Sequence, residues 1–257
     1  MKFEDQIVLV TGGNRGLGAQ IVRSFAREGA KVVINFYQNK TQAEALVTEL
    51  NTHDEKQVIA LQGDIRDREA MRELFEQARR AFGVPITTIV NNALVNFKFD
   101  PVNRQNAENI TWEDFLGQLE GAIQGSLNTI QAGLKDMKEA RFGRIINIGT
   151  NLVQNPVVPY HDYNTAKSAL LSFTRNMAKE LGVFGINVNM VSGGLLQTTD
   201  ASSATSEDVF KMIAQNTPLG KVTTPAEVAD TVLYFASPWS RGVTGQNIMV
   251  DGGLVMN

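Results

Sequence analysis

The sequence predicts an α/β fold: one domain, residues 1–257, built on a seven-stranded parallel sheet with helices on both faces. Three observations predict it. Short β-branched runs alternate with longer helical stretches along the chain. The strand runs are apolar throughout rather than alternating, as expected of strands buried on both faces. The 257 residues, 43% of them hydrophobic, are enough for one substantial core, and no Pro/Gly/Ser-rich linker or internal repeat divides them.

The elements follow in order. Strand Ile7–Val10 leads into helix Gly16–Glu28, then strand Lys31–Asn35 into helix Thr41–Asn51. Strand Gln57–Leu61 leads into helix Arg68–Phe82, which returns to strand Thr88–Asn91. A long helix over about Thr111–Met137 precedes strand Arg144–Ile148, and one over about Tyr160–Leu181 precedes strand Ile186–Met190. Helix Pro225–Ala236 and strand Asn247–Val250 close the chain. Two connections are long, 94–110 and 193–216. Long irregular loops in a compact α/β domain are usually functional. Both begin at carboxyl ends of strands, where ligands of such sheets bind. They are read as the substrate loops. Leu196, Phe210 and Met212 suggest an apolar lining for the second, although helix-spaced apolar residues are more often core or lid packing, and neither loop carries a motif that names a substrate.

Composition excludes several classes of function. With 24 basic and 27 acidic residues the net charge is −3, which advertises neither nucleic-acid nor membrane-surface binding. There is no cysteine, so disulfides, thiolate nucleophiles, iron–sulfur clusters and cysteine zinc sites are all excluded. The two histidines, His53 and His161, cannot build a three-histidine metal site, and no metal is expected. The N-terminus carries acids where a signal peptide carries a basic and then apolar run. No apolar run approaches the roughly 20 residues of a membrane span. The expectation is a soluble, untargeted, cytoplasmic protein.

The first strand runs into Thr11-Gly12-Gly13-Asn14-Arg15-Gly16-Leu17-Gly18. Glycines at 12, 16 and 18 permit a tight turn, close approach to phosphates and close packing of the next helix on the sheet. The helix N-terminus then offers its free N–H groups to a pyrophosphate. An acid at the end of the second strand would bind the ribose hydroxyls of NAD. This strand ends Asn35-Phe36-Tyr37, without one, and Arg15 can face a 2′-phosphate, so the cofactor expected is NADP. Asp64-Ile65 ends the third strand and Asn91-Asn92-Ala93 the fourth, on the same sheet edge. Each could instead simply cap the following turn.

Tyr163 and Lys167, four residues apart, share a helix face. Tyrosine alone, with a pKa of about 10, is a poor acid near neutrality. A neighbouring ammonium stabilises the phenolate and is expected to lower that value, so that Tyr163 can exchange a proton with a carbonyl or alcohol oxygen. A surface i,i+4 pair is the bland alternative. Thr150, after the fifth strand, could hydrogen-bond the same oxygen, or simply cap a turn.

Together and in this order these residues resemble the short-chain dehydrogenase/reductase family over essentially the whole chain. Gly12-x-x-x-Gly16-x-Gly18 matches its cofactor loop, Asn91-Asn92-Ala93 its fourth-strand motif and Tyr163-x-x-x-Lys167 its catalytic pair. Thr150 stands 13 residues before the tyrosine, where the family carries Ser. The tail from Gly242-Val243-Thr244-Gly245 to Val250-Asp251-Gly252-Gly253 also matches. The resemblance is greatest to bacterial 3-oxoacyl-ACP reductases and their carbonyl-reductase relatives. The family's enoyl reductases space Tyr and Lys more widely.

The resemblance implies a doubly wound Rossmann fold and an NADPH-dependent carbonyl reductase. Tyr163 would be the acid, Lys167 would lower its pKa and bind the nicotinamide ribose, and Thr150 would orient the carbonyl. It implies cofactor contacts from Gly12, Asn14, Arg15, Gly16, Leu17, Gly18, Phe36, Tyr37, Asp64, Ile65, Asn91, Asn92, Ala93, Tyr163, Lys167, Gly194 and Leu196. Acyl carrier protein enters as a partner and a homotetramer as the assembly. The sequence departs from the family at Leu94, at Gly193-Gly194 where Pro-Gly is usual, and at Phe184, where acyl-carrier-protein reductases carry a basic docking residue. Ala122 stands where the family has a water-holding Asn, and Gln118 or Ser126, one turn either side, are the residues that could replace it. Two rival readings stay open: a cofactor-binding scaffold or sensor with little catalysis, and a sugar epimerase or dehydratase, which would usually need a longer chain.

Overall fold

The computed structural model describes residues 1–51, 56–197, 199, 202–203 and 205–256. Among them seven strands form one parallel sheet: β1 (Ile7–Thr11), β2 (Lys31–Phe36), β3 (Val58–Gln62), β4 (Thr88–Asn91), β5 (Gly143–Thr150), β6 (Ile186–Gly193) and β7 (Asn247–Val250). Their order is β3-β2-β1-β4-β5-β6-β7. The chain winds outward from β1 to β3, then crosses back to β4 and winds the other way. This reversal leaves a crevice beyond the carboxyl ends of β1 and β4, where ligands of doubly wound sheets bind.

Successive strand residues point to opposite faces, and each face has its own core. Val8 and Val10 of β1 pack with Ile21, Phe25 and Val232 on one side. Ile7 and Leu9 pack with Leu74, Phe75 and Ile130 on the other. That is why the strand sequences are apolar without alternation. The first face is covered by α1 (Gly16–Arg27), α2 (Lys40–Leu50) and, later in the chain, Pro225–Ala236. The second is covered by α3 (Arg68–Phe82) and by two further helices, Gly125–Ala140 and His161–Leu181.

Three findings differ from the sequence reading. The stretch expected as one helix over 111–137 is α4 (Trp112–Leu119), a π-helical turn (Glu120–Gln124) and α5 (Gly125–Ala140). Glycines at 121 and 125 let it lie against its neighbours: a Cβ at Gly121 would meet Val95 at 2.9 Å, and one at Gly125 would overlap Ile65. After α6 (His161–Leu181) and β6, the connection read as irregular contains α7 (Glu207–Asn216), capped by the Ser206 hydroxyl on Val209 N–H. Residues 198, 200, 201 and 204 of that connection, and His53, lie outside the described residues. The third difference is at Phe36: its side chain, 3% exposed, belongs to the core. The last helix, α8 (Pro225–Ala236), starts in a capping box between Thr224 and Glu227 with proline in its first turn.

Candidate active site

The loop between β1 and α1 is held from below. Thr11 Oγ1 accepts from the N–H groups of Asn92 (2.9 Å) and Ala93 (3.0 Å), and Asn92 Nδ2 donates to the carbonyls of Thr11 (2.9 Å) and Gly12 (3.3 Å). Gly12 and Gly16 are left-handed, at φ 60° and 51°. A Cβ at Gly18 would overlap the Gly12 carbonyl and come within 2.6 Å of Asn92 Nδ2. Helix α1 therefore begins hard against the turn. Its first turn has no acid, and no side chain caps it among the described residues. Its N–H groups are left facing the crevice, the arrangement that receives phosphate. Leu17 packs back on the core, and the exposed Arg15 stands at the head of the helix.

The strand ends divide into ligand-facing and structural groups. Asn14 Nδ2 donates to the Gln38 carbonyl at 3.3 Å, tying the loop to the end of β2. With Phe36 inside the core, the side chain offered there is Tyr37, 55% exposed. The Arg66 guanidinium lies 6.0 Å from its ring. Arg66 pairs with Asp64 at 2.7 Å and holds that carboxyl below its usual range. Asn91 is buried: Nδ2 donates to Asn147 Oδ1 at 2.9 Å, while Oδ1 accepts from Thr129 at 2.7 Å. Its side chain thus braces β4 against β5 and α5. Ile65 packs in the second core, and its carbonyl accepts from Asn128 Nδ2 at 2.9 Å. Leu196 packs on the first core. Gly194 lies so close to the tail that a Cβ would meet Asp251 at 3.0 Å. Asp251 accepts from Asn151 Nδ2 and from the N–H groups of Gly253 and Val255, which fastens the C-terminal segment to the outlet of β5.

Thr150 ends β5, and α6 brings Tyr163 and Lys167 to it. All three are buried, at 5%, 4% and 6% exposure. Lys167 Nζ donates to the Ile148 carbonyl at 2.8 Å and lies 5.8 Å from the Tyr163 ring centroid. A hydrogen bond with Thr150 favours ionisation of the phenol. Burial outweighs it and pushes Tyr163 up from the ordinary tyrosine value. Burial also pushes Lys167 down to about 8. The expected lowering of the tyrosine by the ammonium is thus not realised in this state. Lys167 is aimed at a carbonyl, and both groups pay for lost hydration.

Three aromatic rings gather over this pair. Phe97 lies flat on Tyr163, centroids 4.4 Å apart and planes 14° from parallel. Phe99 stands edge-on to Tyr163 at 5.4 Å, and Tyr160 edge-on to Phe97 at 5.3 Å. The sequence reading had the loop but not these residues. Two phenylalanines spaced by one residue at a strand outlet were the available signal. Behind Lys167 lies a small cavity, about 10 Å³, walled by Ala122, Ser126, Asn91 and Thr11 among others. Gln118 does not share in it, because its Nε2 donates to the Val95 carbonyl at 3.0 Å.

Comparison with known proteins bears on the fold and the family. A family model described as "Enoyl-(Acyl carrier protein) reductase" matches residues 12–255. A 3-oxoacyl-[acyl-carrier-protein] reductase of Synechocystis sp. is 31% identical over 255 residues, spanning 98% of this chain and 97% of that protein. A crystal structure of a blue fluorescent protein from a metagenomic library, in complex with NADPH, superposes with a TM-score of 0.86 at 32% identity over 100% of both chains. A 3-oxoacyl-[acyl-carrier protein] reductase from Brucella melitensis with bound NAD gives 0.86 at 30% identity, covering 98% of this chain and 92% of that one. The match takes in the fold from the glycine loop to the tail, and the chain belongs to the short-chain dehydrogenase/reductase family of oxidoreductases.

Proposed function

We propose that this protein is an NADPH-dependent reductase that converts a carbonyl compound to a secondary alcohol. One observation carries the reading: Tyr163 and Lys167 are buried together beside Thr150 at the end of β5, and Lys167 shares a small cavity with Thr11, Asn91 and Ala93 from the glycine-loop side of the sheet edge. The cradle fits a dinucleotide, because Gly12 and Gly16 take backbone conformations closed to most residues and Gly18, where a Cβ would overlap the Gly12 carbonyl, lets α1 start hard against the turn. The uncapped start of α1 would hold the pyrophosphate. β2 ends without a carboxylate, and Arg15 at the head of α1 and Arg66, 6.0 Å from the Tyr37 ring, support a 2′-phosphate there. When bound, the reduced nicotinamide supplies the hydride that becomes the new C–H bond at the carbonyl carbon.

Tyr163 donates its phenolic proton to the oxygen as the C=O π pair moves onto it, so the product is an alcohol and the tyrosine is left as phenolate. Thr150 donates to the same oxygen and holds the carbonyl in place. Lys167 keeps a positive charge behind the ring, which lowers the cost of that phenolate. The Tyr–Lys spacing supports carbonyl rather than enoyl reduction. A cofactor-binding protein with little turnover is the second reading, and the Phe97 ring lying over Tyr163 favours it.

The test is cofactor oxidation with a broad panel of ketones, aldehydes and acetoacetyl thioesters, run with NADPH and NADH. Turnover with at least one compound, and tenfold or greater preference for NADPH from one charge-assisted contact, is the expected result. Tight NADPH binding with no turnover on any compound would favour the binding protein.

A further inference from the structure

The place where a carbonyl compound must meet Tyr163 is taken by the chain's own Phe97. Its ring is stacked on the tyrosine at 4.4 Å. Phe99 closes one edge, at 5.0 Å from Phe97 and 5.4 Å from Tyr163. Tyr160 closes another, at 5.3 Å from Phe97 and 5.9 Å from Phe99. The result is a slot one ring thick, with aromatic walls, against the proposed proton donor. Asn96, left-handed at φ 45°, turns the loop so that Phe97 enters it. Just before that turn, the Val95 carbonyl is held by Gln118. Beyond it the bonds are mostly local: Asp100 accepts from the N–H groups of Val102 and Asn103, and Asn106 and Asn109 bond each other. Arg104 reaches the Pro159 carbonyl at 3.3 Å. A loop built this way can withdraw Phe97 without unfolding anything else.

We propose that Phe97 holds the substrate's place, and that the substrate is a carbonyl compound with an aromatic or equally flat conjugated group beside the carbonyl. This rests on the reductase reading above. A phenyl group demonstrably fits the slot, and offset and edge-on contacts with three rings favour another aromatic ring over a puckered one of the same size. A cavity of about 220 Å³ adjoins the slot, lined by Lys98, Asp100, Asn103, Arg104 and Asp162 as well as Phe97. It gives polar substituents on the far edge of the ring room and partners.

Acetophenone and cyclohexyl methyl ketone make the test, since they differ in a flat against a puckered ring. Conjugation makes the aryl ketone the poorer electrophile, so a preference for it reports the slot rather than intrinsic reactivity. With NADPH, kcat/KM should favour acetophenone by about tenfold or more, and Phe99→Leu and Tyr160→Leu should each cut that preference about threefold or more at unchanged NADPH Kd. Phe97→Leu should lower KM for the aryl ketone, because it removes a competitor for the slot. Calorimetry of the protein with oxidised NADP, which has no hydride to give, should show acetophenone binding more tightly than cyclohexyl methyl ketone, independently of turnover. Equal or reversed preference, or turnover confined to aliphatic carbonyl compounds including acetoacetyl thioesters, overturns the inference and leaves the reductase reading standing. No turnover on any carbonyl compound, with NADPH bound, overturns both.

Discussion

Lys167 gives up nearly all contact with water and gains one hydrogen bond, to the Ile148 carbonyl. The consequence can be measured without a substrate. Its folded pKa, about 8, lies below the ordinary 10.5, so between those values the unfolded chain binds more protons than the folded one. Stability therefore rises with pH across that window. From about pH 7 to about pH 9.5 this one group should add about 2 kcal/mol. Lys167→Met should abolish the rise, read as the difference between wild type and variant in urea denaturation at the two pH values. A constant difference would mean that Lys167 is hydrated. Above about pH 10 Tyr163, raised by burial, works the other way, because its folded form holds a proton that the unfolded form releases.

Tyr163→Phe removes one hydroxyl and little volume. Turnover should fall by at least about 10²-fold, the lower end for general acid catalysis, with NADPH affinity nearly unchanged. Retention of most activity would remove Tyr163 from its role. At this scale the sequence was informative where chemistry shows in residue type and spacing, as at Tyr163, Lys167 and the glycines. It was not informative about state: whether an ammonium faces the phenol or a carbonyl depends on the backbone of β5, 19 residues away in sequence.

The π-helical turn between α4 and α5 sets the wall behind Lys167. The extra residue in that turn swings Ala122 and Ser126 onto the cavity, while Gly121 and Gly125 let the turn press against Val95 and Ile65. The cavity has room for about one water-sized group. With Gln118 committed to Val95, Ser126 is the hydroxyl that can hold a group next to Lys167. Ser126→Ala should slow turnover severalfold and leave the NADPH Kd unchanged, and Ala122→Asn should raise turnover if an amide there serves better. Stopped-flow and binding measurements on both variants check this, and no change in either would detach the cavity from proton transfer. The turn was not legible in the sequence, since a single i→i+5 step leaves no periodic signal. Helix α7 was missed for a different reason: it is short, and its apolar residues, Val209, Phe210, Met212 and Ile213 among them, were read as the lining of a loop although Val209, Phe210 and Ile213 share one helix face. The loop at 94–110 was legible as a loop, and its aromatic packing on Tyr163 is a tertiary contact that periodicity does not report.

At the scale of the whole molecule, the alternation of elements and the two-sided burial of the strands were read correctly from the sequence. Seven parallel strands with continuous apolar runs admit little besides a doubly wound sheet. The candidate site was read from the same pattern, because the glycine loop and both long connections leave the same sheet edge. Cofactor choice is also decided there. Phe36→Asp would bury a carboxylate in the core, so the informative substitution is at the exposed Tyr37. Tyr37→Asp should weaken NADPH and strengthen NADH, shifting the ratio of their Kd values by tenfold or more through one charged contact. An unchanged ratio would place the 2′-phosphate elsewhere.

Reduction with NADPH deuterated at the transferable position tests the central claim most directly. The account predicts that the secondary alcohol formed from an accepted carbonyl compound carries one deuterium on the former carbonyl carbon, in step with the cofactor oxidised. Tyr163→Phe should form that product at least about 10²-fold more slowly while binding the cofactor as well. Cofactor bound at full occupancy, with no labelled alcohol from any carbonyl compound in the panel, would contradict it.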